Sequence, residues 1–450
     1  MATPDILKAS STTSSSLTAL NADAFQAELD RWADRAAWIT ERKRNGWRQF
    51  NDLPEPTRKD EKWRFASLPK NVPGGYGLAP AIDEARAAAL IDRSAMVDNR
   101  SGRLVFANDH CIRHEAIPAK LAEQGVFFES LETALEHHGD IIEPYLMKEG
   151  TRLGSEKYFG LHAAFVRSAA VLYVPKFVEI DQPLVAYHWL AGAGAAIFPH
   201  TLVIAEDGAK VDLVDIFVSE STEAPGLAVC AADVYAGPGA KVFRKVVQDF
   251  NEETTCFQLD NTVAQRDAQV KQVLLNIGAR KARFENEVKI EGAGADVKVY
   301  SLSVPERNQE FDQRTLQVHA APNATSDLLF KNALMDKAKT IFSGLIYVEE
   351  NAQQTDAYQT NRNLLLDPTA EANSLPGLEI CANDVKCSHG ATTGNLNPEE
   401  MFYITSRGIR PRTAKQLMVF GFFEEVIRQI DNEELRDNLR SLIRRKFEKV

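Results

Sequence analysis

The sequence predicts a mainly β protein in which a β-solenoid core is flanked by an N-terminal and a C-terminal helical domain. From residue 169 onwards, short runs of β-branched residues alternate with turn residues, and one turn motif recurs. Its copies begin at Gly208, Gly239, Asp267, Gly294, Asn323, Asn351 and Ala382. Successive copies are 31, 28, 27, 29, 28 and 31 residues apart. A repeat of this length, with strands on both sides of each turn, is typical of solenoids.

Two other all-β architectures are alternatives to the solenoid. A sandwich is disfavoured because it would need hairpin turns about every 8–12 residues. An irregular all-β domain remains the alternative. Most copies of the turn motif begin with Gly, Asn or Asp, which tolerate left-handed turn conformations. If the solenoid prediction is correct, stacked strands lie about 4.8 Å apart and do not form antiparallel hairpins.

The pattern divides the chain into four segments. These are a disordered lead at 1–20, a mainly helical domain at 21–168, the solenoid at 169–396 and a helical domain at 397–450. The lead contains a Ser/Thr tract, which is typical of disorder. Apolar residues at helical spacing predict a helix over 22–50, with Asn21 as its N-cap. Similar patterns predict a strand over 103–107 and helices over 131–147 and 156–166.

The tail carries three helix signals. Asn397 followed by Pro398 is a typical helix start, and Pro411 introduces a second helix that extends to residue 430. A third helix is predicted to begin with a capping box formed by Asp431 and Glu434. Its apolar face is predicted to contain Leu435, Leu439, Leu442, Ile443 and Phe447.

The second tail helix is unusually apolar, because its hydrophobic positions cover more of its circumference than one core-facing stripe needs. We expect a partner protein to bury part of this surface. The residues predicted to contact it are Phe420, Phe422, Phe423, Val426 and Ile427. The alternative is a three-helix mini-bundle that buries these residues internally. From residue 407 onwards, eleven Lys/Arg oppose seven Asp/Glu, so the tail carries +4 and the rest of the chain −15.

Composition excludes several classes of protein. The net charge of −11 argues against a nucleic-acid binder, which usually carries a basic stripe. Five scattered cysteines fit reduced thiols and a cytoplasmic location better than a disulfide framework. No apolar run reaches about 18 residues, so no membrane span is expected, and no secretory signal is recognisable.

Catalytic signatures are also missing from the sequence. It contains no P-loop, HExxH, GxSxG or CxxC motif, and no four-cysteine arrangement of a self-sufficient iron–sulfur protein. No paired general acid and base stands out. We therefore expect a protein that is not an enzyme. A solenoid enzyme acting on polysaccharide is the less favoured alternative, since repeated carboxylates on one face are not visible.

The best candidate for chemistry lies near the end of the predicted solenoid, where Cys387 and His389 are two residues apart. On a strand they share one face, and a thiolate beside an imidazole could form half of a metal or sulfur site. A partner would have to supply the remaining ligands. A buried thiol beside a hydrogen-bonded histidine is the alternative. Cys381 is interpreted as structural.

A second cluster, His110, Cys111 and His114, has a spacing that metal sites use. It follows a predicted strand and has no matching second cluster. We interpret it as a solvated turn rather than a metal site.

Several strings carry a family resemblance. They are DVKCSHGAT at 384–392, EMFY at 400–403, SRGI at 406–409, NRNLLL at 361–366 and PTRKDEKWRF at 56–65. Together they resemble the SufB/SufD family of the SUF iron–sulfur cluster assembly complex, from about residue 50 to the C-terminus. The NRNL string, and the Ser388–Ala391 string, resemble the SufD branch rather than the SufB branch. A SufB-type paralogue is the nearest alternative.

The resemblance implies a right-handed parallel β-helix with flanking helical domains. It also implies a non-catalytic scaffold that pairs with a SufB-type paralogue, docks a SufC-type ATPase and contributes to iron acquisition, with a homodimer possible in isolation. His389, assisted by Cys387, would lie at the SufB interface where the nascent cluster forms. Any iron or cluster would be transient. Whether iron, sulfur or a whole cluster contacts His389, and whether reduced flavin binds, stays open.

Overall fold

The computed structural model describes residues 17–33, 35–67 and 72–448. Its centre is a β-solenoid of about eight turns over residues 169–395, preceded by a mixed region and followed by helices. The predicted fold class is therefore confirmed. Residues 1–16 of the predicted lead lie outside the described residues. Within the described ranges, no helix is both long and apolar enough to cross a membrane.

The N-terminal region combines helices with short strands. In chain order it contains β1 (Thr18–Ala19), α1 (Ala22–Trp32), α2 (Ala37–Asp52), a 3-10 helix (Glu61–Trp63), β2 (Gly77–Leu78), α3 (Glu84–Arg93), β3 (Gly102–Ala107), β4 (His110–Glu115), α4 (Ala119–Glu123), β5 (Phe127–Ser130), α5 (Leu131–Ile142) and α6 (Glu156–Phe165). Asn21 caps α1 as predicted, since its side chain accepts a 3.0 Å hydrogen bond from the Ala24 amide. The single helix predicted over 22–50 is two helices, because Ala36 is extended.

The solenoid is built from two sheets, and successive strands from His200 onwards alternate between them. The strands are β6 (Ala169–Val174), β7 (Leu184–Leu190), β8 (Ala195–Ile197), β9 (His200–Ala205), β10 (Lys210–Ser219), β11 (Gly226–Ala236), β12 (Lys241–Asp249), β13 (Thr254–Ala264), β14 (Gln269–Asn276), β15 (Lys281–Ile290), β16 (Asp296–Ser303), β17 (Glu310–His319), β18 (Thr325–Leu334), β19 (Lys339–Val348), β20 (Asp356–Leu365), β21 (Glu371–Ile380) and β22 (Lys386–Asn395). From β10 to β20, each strand pairs in parallel with the strand two places later. This ladder excludes a meander of hairpins there.

The turn motif lies on one edge of the stack. Its leading residue has a positive φ in the first five copies, with values of 57–72° from Gly208 to Asn323. In the last two copies the register differs from the prediction. The ladder aligns Thr325 with Asp356 and Lys386, so the equivalent turn positions are Gln354, with φ of 59°, and Asp384. The sixth turn position lies three residues later than the sequence repeat predicted, at Gln354 rather than Asn351.

The N-terminal region covers the first turn of the solenoid. β3 pairs in parallel with β7, β2 pairs with β8, and β5 pairs antiparallel with β6. As predicted, the region contains more helix than strand, and its short strands extend both sheets. Helices α2 and α6 cross closely at Gly46 and Gly160, where a Cβ on Gly160 would lie 2.8 Å from the Gly46 carbonyl oxygen.

The tail forms α7 (Pro398–Ser406), α8 (Pro411–Ile427) and α9 (Glu433–Glu448). The predicted apolar face of α9 is buried. Its N-cap is Asn432 rather than Asp431, because the Asn432 side chain accepts the Leu435 amide hydrogen at 2.8 Å. The Glu434 carboxylate does not complete a capping box; it accepts the backbone amide of Asp98 at 3.0 Å.

Helices α8 and α9 pack on the outer face of the sheet that contains β14, β16 and β18. The buried cluster there includes Val273 and Leu302 from the sheet together with Val419, Phe423 and Ile443 from the tail. The Lys331 ammonium fixes α8 further by donating to the Phe422 carbonyl at 2.8 Å. Several of the apolar side chains of α8 are thus buried against the chain's own solenoid. The sequence had suggested either a partner protein or a self-contained mini-bundle as the surface that buries them.

Candidate functional site

Cys387 and His389 lie on β22, the last strand of the solenoid. The parallel register places Cys387 beside Ala357 and His389 beside Gln359 of β20. Both residues share one strand face, as the spacing predicted. In the described part of the chain, β22 pairs with β20 and with no other strand, and nearly all of its side chains are exposed. His389 is therefore presented on an open strand.

Cys387 has a different environment from its neighbour. It is half-buried and packs against a small apolar cluster that includes Ile346, Val348 and Ala357. Burial is the main cause that raises the pKa of the Cys387 thiol above its usual value, and Asp356 raises it further. The thiol form is favoured at neutral pH, so Cys387 is not a ready thiolate ligand in the free chain.

The second edge at this end of the solenoid belongs to β21. It pairs with β19 alone among the described strands, and its side chains are exposed or half-buried. Leu375, Ile380 and Tyr358 are exposed large apolar side chains on the last two turns. Both sheets thus end here in uncovered strands, and we call β21 and β22 together the open end. Cys381 is exposed in the turn that joins them.

The open end does not contain a complete metal site. Within residues 17–33, 35–67 and 72–448, no three His, Cys, Asp or Glu side chains lie together in an arrangement that could hold a metal ion. This includes the His110, Cys111 and His114 group, which forms strand β4 rather than the predicted turn. The turn before it is made by Asn108 and Asp109, whose positive φ values are typical of a tight hairpin.

The residues predicted to dock a partner are mostly unavailable. Phe423, Val426 and Ile427 are buried against the solenoid, while Phe420 and Phe422 are half-buried. The apolar side chains that the tail exposes are instead Phe402 (74% exposed), Tyr403 (58%) and Leu417 (49%). Helix α7, which carries the first two, has no buried residue. Its capped start followed by Met-Phe-Tyr was a sequence signal for this surface.

Sequence reasoning also missed a buried charge cluster inside the solenoid. Arg244 donates to Asp215 at 2.7 Å and to Asp260 at 2.8 Å, and all three residues are buried. Thr201 donates a further hydrogen bond to Asp215 at 3.1 Å. The two carboxylates hold the pKa of the Arg244 guanidinium above its usual value despite burial. Polar residues at inward-facing strand positions were the signal available in the sequence.

Comparison with known families agrees with this architecture. Residues 188–422 match the family model described as "SUF system FeS cluster assembly, SufBD core domain", and residues 15–185 match "SufBD protein N-terminal region". The first match covers most of the solenoid and much of the tail.

Individual relatives extend over nearly the whole chain. The iron–sulfur cluster assembly protein SufD of Bacillus subtilis is 29% identical over 418 residues, covering 91% of this chain and 94% of the relative. SufD of Escherichia coli is 27% identical, covering 85% of this chain and 87% of the relative. Protein ABCI7, chloroplastic, of Arabidopsis thaliana is 24% identical, covering 87% and 82% respectively. The chain therefore belongs to the SufBD family of the SUF system for FeS cluster assembly.

Proposed function

We propose that this chain is a SufD-type, non-catalytic scaffold that pairs through its open end with a SufB-type paralogue. The observation that carries the proposal is the contrast in coverage: strands β21 and β22 are uncovered edges, whereas the first turn is covered by β2, β3 and β5. Uncovered edge strands present unpaired N–H and C=O groups, which a second chain can satisfy. The two bacterial relatives are named SufD, which supports the SufD assignment over the SufB alternative.

In this proposal His389 is the contact residue for iron or a nascent cluster, which are substrates rather than resident cofactors. Its imidazole is exposed on an edge strand and its neutral form can bind iron. The partner supplies the other ligands, because the described residues of this chain offer too few at the site. Cys387 becomes a ligand only if pairing lowers the pKa of its thiol, since burial raises that pKa in the free chain.

The test of this role is a His389→Ala variant produced together with the SufB-type and SufC-type partners. We expect the variant to co-purify with both partners while the iron and sulfide content of the assembled complex falls. The matched control is Ser388→Ala, because Ser388 is equally exposed but lies on the opposite strand face. Wild-type iron and sulfide in the His389 variant would contradict the proposed role.

The tail is proposed to dock the SufC-type ATPase through the exposed residues of α7 and Leu417. A helix with a solvent-exposed Phe and Tyr and no buried residue is suited to an interface, where aromatic residues are enriched. We expect Phe402→Glu to abolish co-purification of the ATPase while pairing with the SufB-type chain persists. Phe177→Glu is the matched control, because Phe177 is 78% exposed but lies in the turn after β6. Retention of the ATPase by the Phe402 variant would place the docking site elsewhere.

Two further parts of the proposal concern assembly and location. The open end could pair with a second copy of the same chain when the SufB-type partner is absent, and the mass of the isolated chain in solution distinguishes monomer from homodimer. We place the chain in the cytoplasm, where scattered reduced cysteines are expected. Reduced flavin remains a candidate ligand of the assembled complex, to be tested by its release on denaturation.

A further inference from the structure

A compact group of buried polar side chains lies inside the solenoid beneath the open end. On β17, the residues Thr315, Gln317 and His319 follow one another on the inward-facing side, because Phe311 on the same face belongs to the solenoid core. Each of the three is at most 1% exposed. They are therefore shielded from bulk solvent.

These side chains carry atoms without a hydrogen-bond partner among the described residues. The unpartnered atoms are Thr315 Oγ1, Gln317 Oε1, Gln317 Nε2 and His319 Nδ1. Both the oxygen and the nitrogen of the Gln317 side-chain amide lack a partner. Its neighbours on the adjacent strands, Val288 and Ile346, have apolar side chains that cannot supply one. A buried amide without any hydrogen bond carries a large desolvation penalty.

The opposite sheet contributes a further unpartnered oxygen to the same space. Gln359 of β20 donates to the Gly344 carbonyl at 3.1 Å, but its Oε1 has no partner among the described residues. A Cβ built on Gly344 would lie 2.2 Å from Gln359 Oε1 and 2.7 Å from Thr315 Oγ1. Glycine at position 344 thus lets oxygens from both sheets converge over one backbone position.

His319 is the last residue of β17 and the third member of this group on that strand. Its Nε2 is 2.8 Å from the Ser326 hydroxyl, and burial lowers the pKa of the imidazole to about 4. The ring is therefore neutral at physiological pH. Its Nδ1 then needs one hydrogen-bond partner of its own.

We propose that this group, Thr315, Gln317, His319 and Gln359, binds a short file of structural water molecules inside the solenoid. The ligand is water because the unpartnered atoms include both donors and acceptors and none of the four side chains is charged. A buried water typically makes about three hydrogen bonds to otherwise unpaired groups. Among the described residues, no direct hydrogen bond joins any two of these four side chains, and bridging water can satisfy their unpaired atoms.

The test compares the full-length wild type with Gln317→Leu. Oxygen-17 magnetic relaxation dispersion counts long-lived internal water, and we expect Gln317→Leu to lose at least one such molecule. The same variant should lower the melting temperature by at least about 2 °C, because Thr315 and His319 lose their water partners. If the site were dry, removing an unpartnered amide would raise the melting temperature and leave the dispersion unchanged.

The matched control is Gln272→Leu. Gln272 is also buried on an inward-facing strand position, but its amide is paired with protein: it donates to Thr262 at 2.6 Å and accepts from Asn286 at 2.8 Å. This variant should lose stability without losing internal water. If Gln317→Leu does not fold, a high-resolution crystal structure of the wild type decides. A solvent peak about 3 Å from the Gln317 amide supports the proposal, and its absence overturns it.

Discussion

The two ends of the solenoid are built from the same kind of strand, but one end is covered by other elements and the other end is exposed. At the first turn, β2, β3 and β5 continue the sheets, and α6 is buried from Lys157 to Phe165. At the last turn, β21 and β22 end in exposed side chains and uncovered strand edges. Because exposed edges invite pairing with another chain, we expect the covered end to contribute to stability and the open end to association.

The largest expected effect lies in the covered half, at the buried charge cluster. Arg244→Met would leave Asp215 and Asp260 buried without their cation, and we expect it to lower the free energy of unfolding by about 3–5 kcal/mol. The control at the open end is Lys386→Met, on an exposed side chain, with an expected change within about 0.5 kcal/mol. Urea unfolding of both variants measures the difference. Equal effects would remove the distinction between the two ends.

A smaller effect is expected from one methyl group placed at each end. Gly160→Ala puts a Cβ about 2.8 Å from the Gly46 carbonyl oxygen and 2.9 Å from the Phe50 amide nitrogen. We expect a loss of about 1–3 kcal/mol from overpacking, although alanine normally stabilises a helix relative to glycine. Gly390→Ala at the open end meets nothing within 4 Å and should be neutral. Calorimetric melting of both variants tests this, and a stabilising Gly160→Ala would contradict it.

The pH dependence of stability is also expected to arise at the covered end. Lys43 is buried and donates to the carbonyls of Ala164 and Val166. Burial lowers the pKa of its ammonium from 10.5 to about 7. Between these two values the unfolded chain binds more protons than the folded chain, so stability should rise with pH across that interval.

Urea midpoints measured between about pH 7 and 9 test this expectation. Lys43→Met should flatten the rise, whatever its effect on absolute stability, because the titrating group is gone. Lys386→Met, at the open end, should keep the wild-type slope. Identical slopes in all three proteins would assign the pH dependence to other groups.

The contrast between the ends also explains what could be predicted from sequence. The turn repeat predicted the solenoid because positive φ at each turn restricts the residue types that fit, as at Gly208 and Asn323. At the sixth copy the predicted turn position was wrong by three residues, because a turn can become longer while its residue types stay the same. Asp215 and Arg244 lie in strands that follow the repeated turn, but the pairing of Arg244 with Asp215 and Asp260 depends on the stacking of different turns.

At the candidate site, the local geometry could be predicted from sequence but the chemical environment could not. Strand alternation correctly placed Cys387 and His389 on one face, since that requires only local geometry. The sequence could not reveal that a small apolar cluster buries Cys387 and disfavours its thiolate. Likewise, the apolar pattern of α8 indicated burial but not which surface covers Phe423, because many surfaces satisfy the same hydrophobic face.

The smallest effect on stability, and the sharpest effect on association, is expected from a proline at the open end. The Lys386 amide donates to the Thr355 carbonyl, so amides of even-numbered residues on β22 point towards β20. The amide of Ala391 therefore points away from the solenoid. Ala391→Pro removes one backbone N–H donor on the outer side of β22 and leaves the hydrogen bonds to β20 intact. The preceding residue is Gly390, which tolerates the backbone restriction that proline imposes.

We expect Ala391→Pro to change the free energy of unfolding by less than about 0.5 kcal/mol, but to weaken pairing with the SufB-type chain at least tenfold. Ala391→Ser keeps the amide and should pair normally. Titration of the isolated chains by analytical ultracentrifugation measures the affinity, and urea unfolding confirms that both variants are folded. If Ala391→Pro paired at wild-type affinity, the partner would not add a strand to β22, and the open end would associate through its side chains alone.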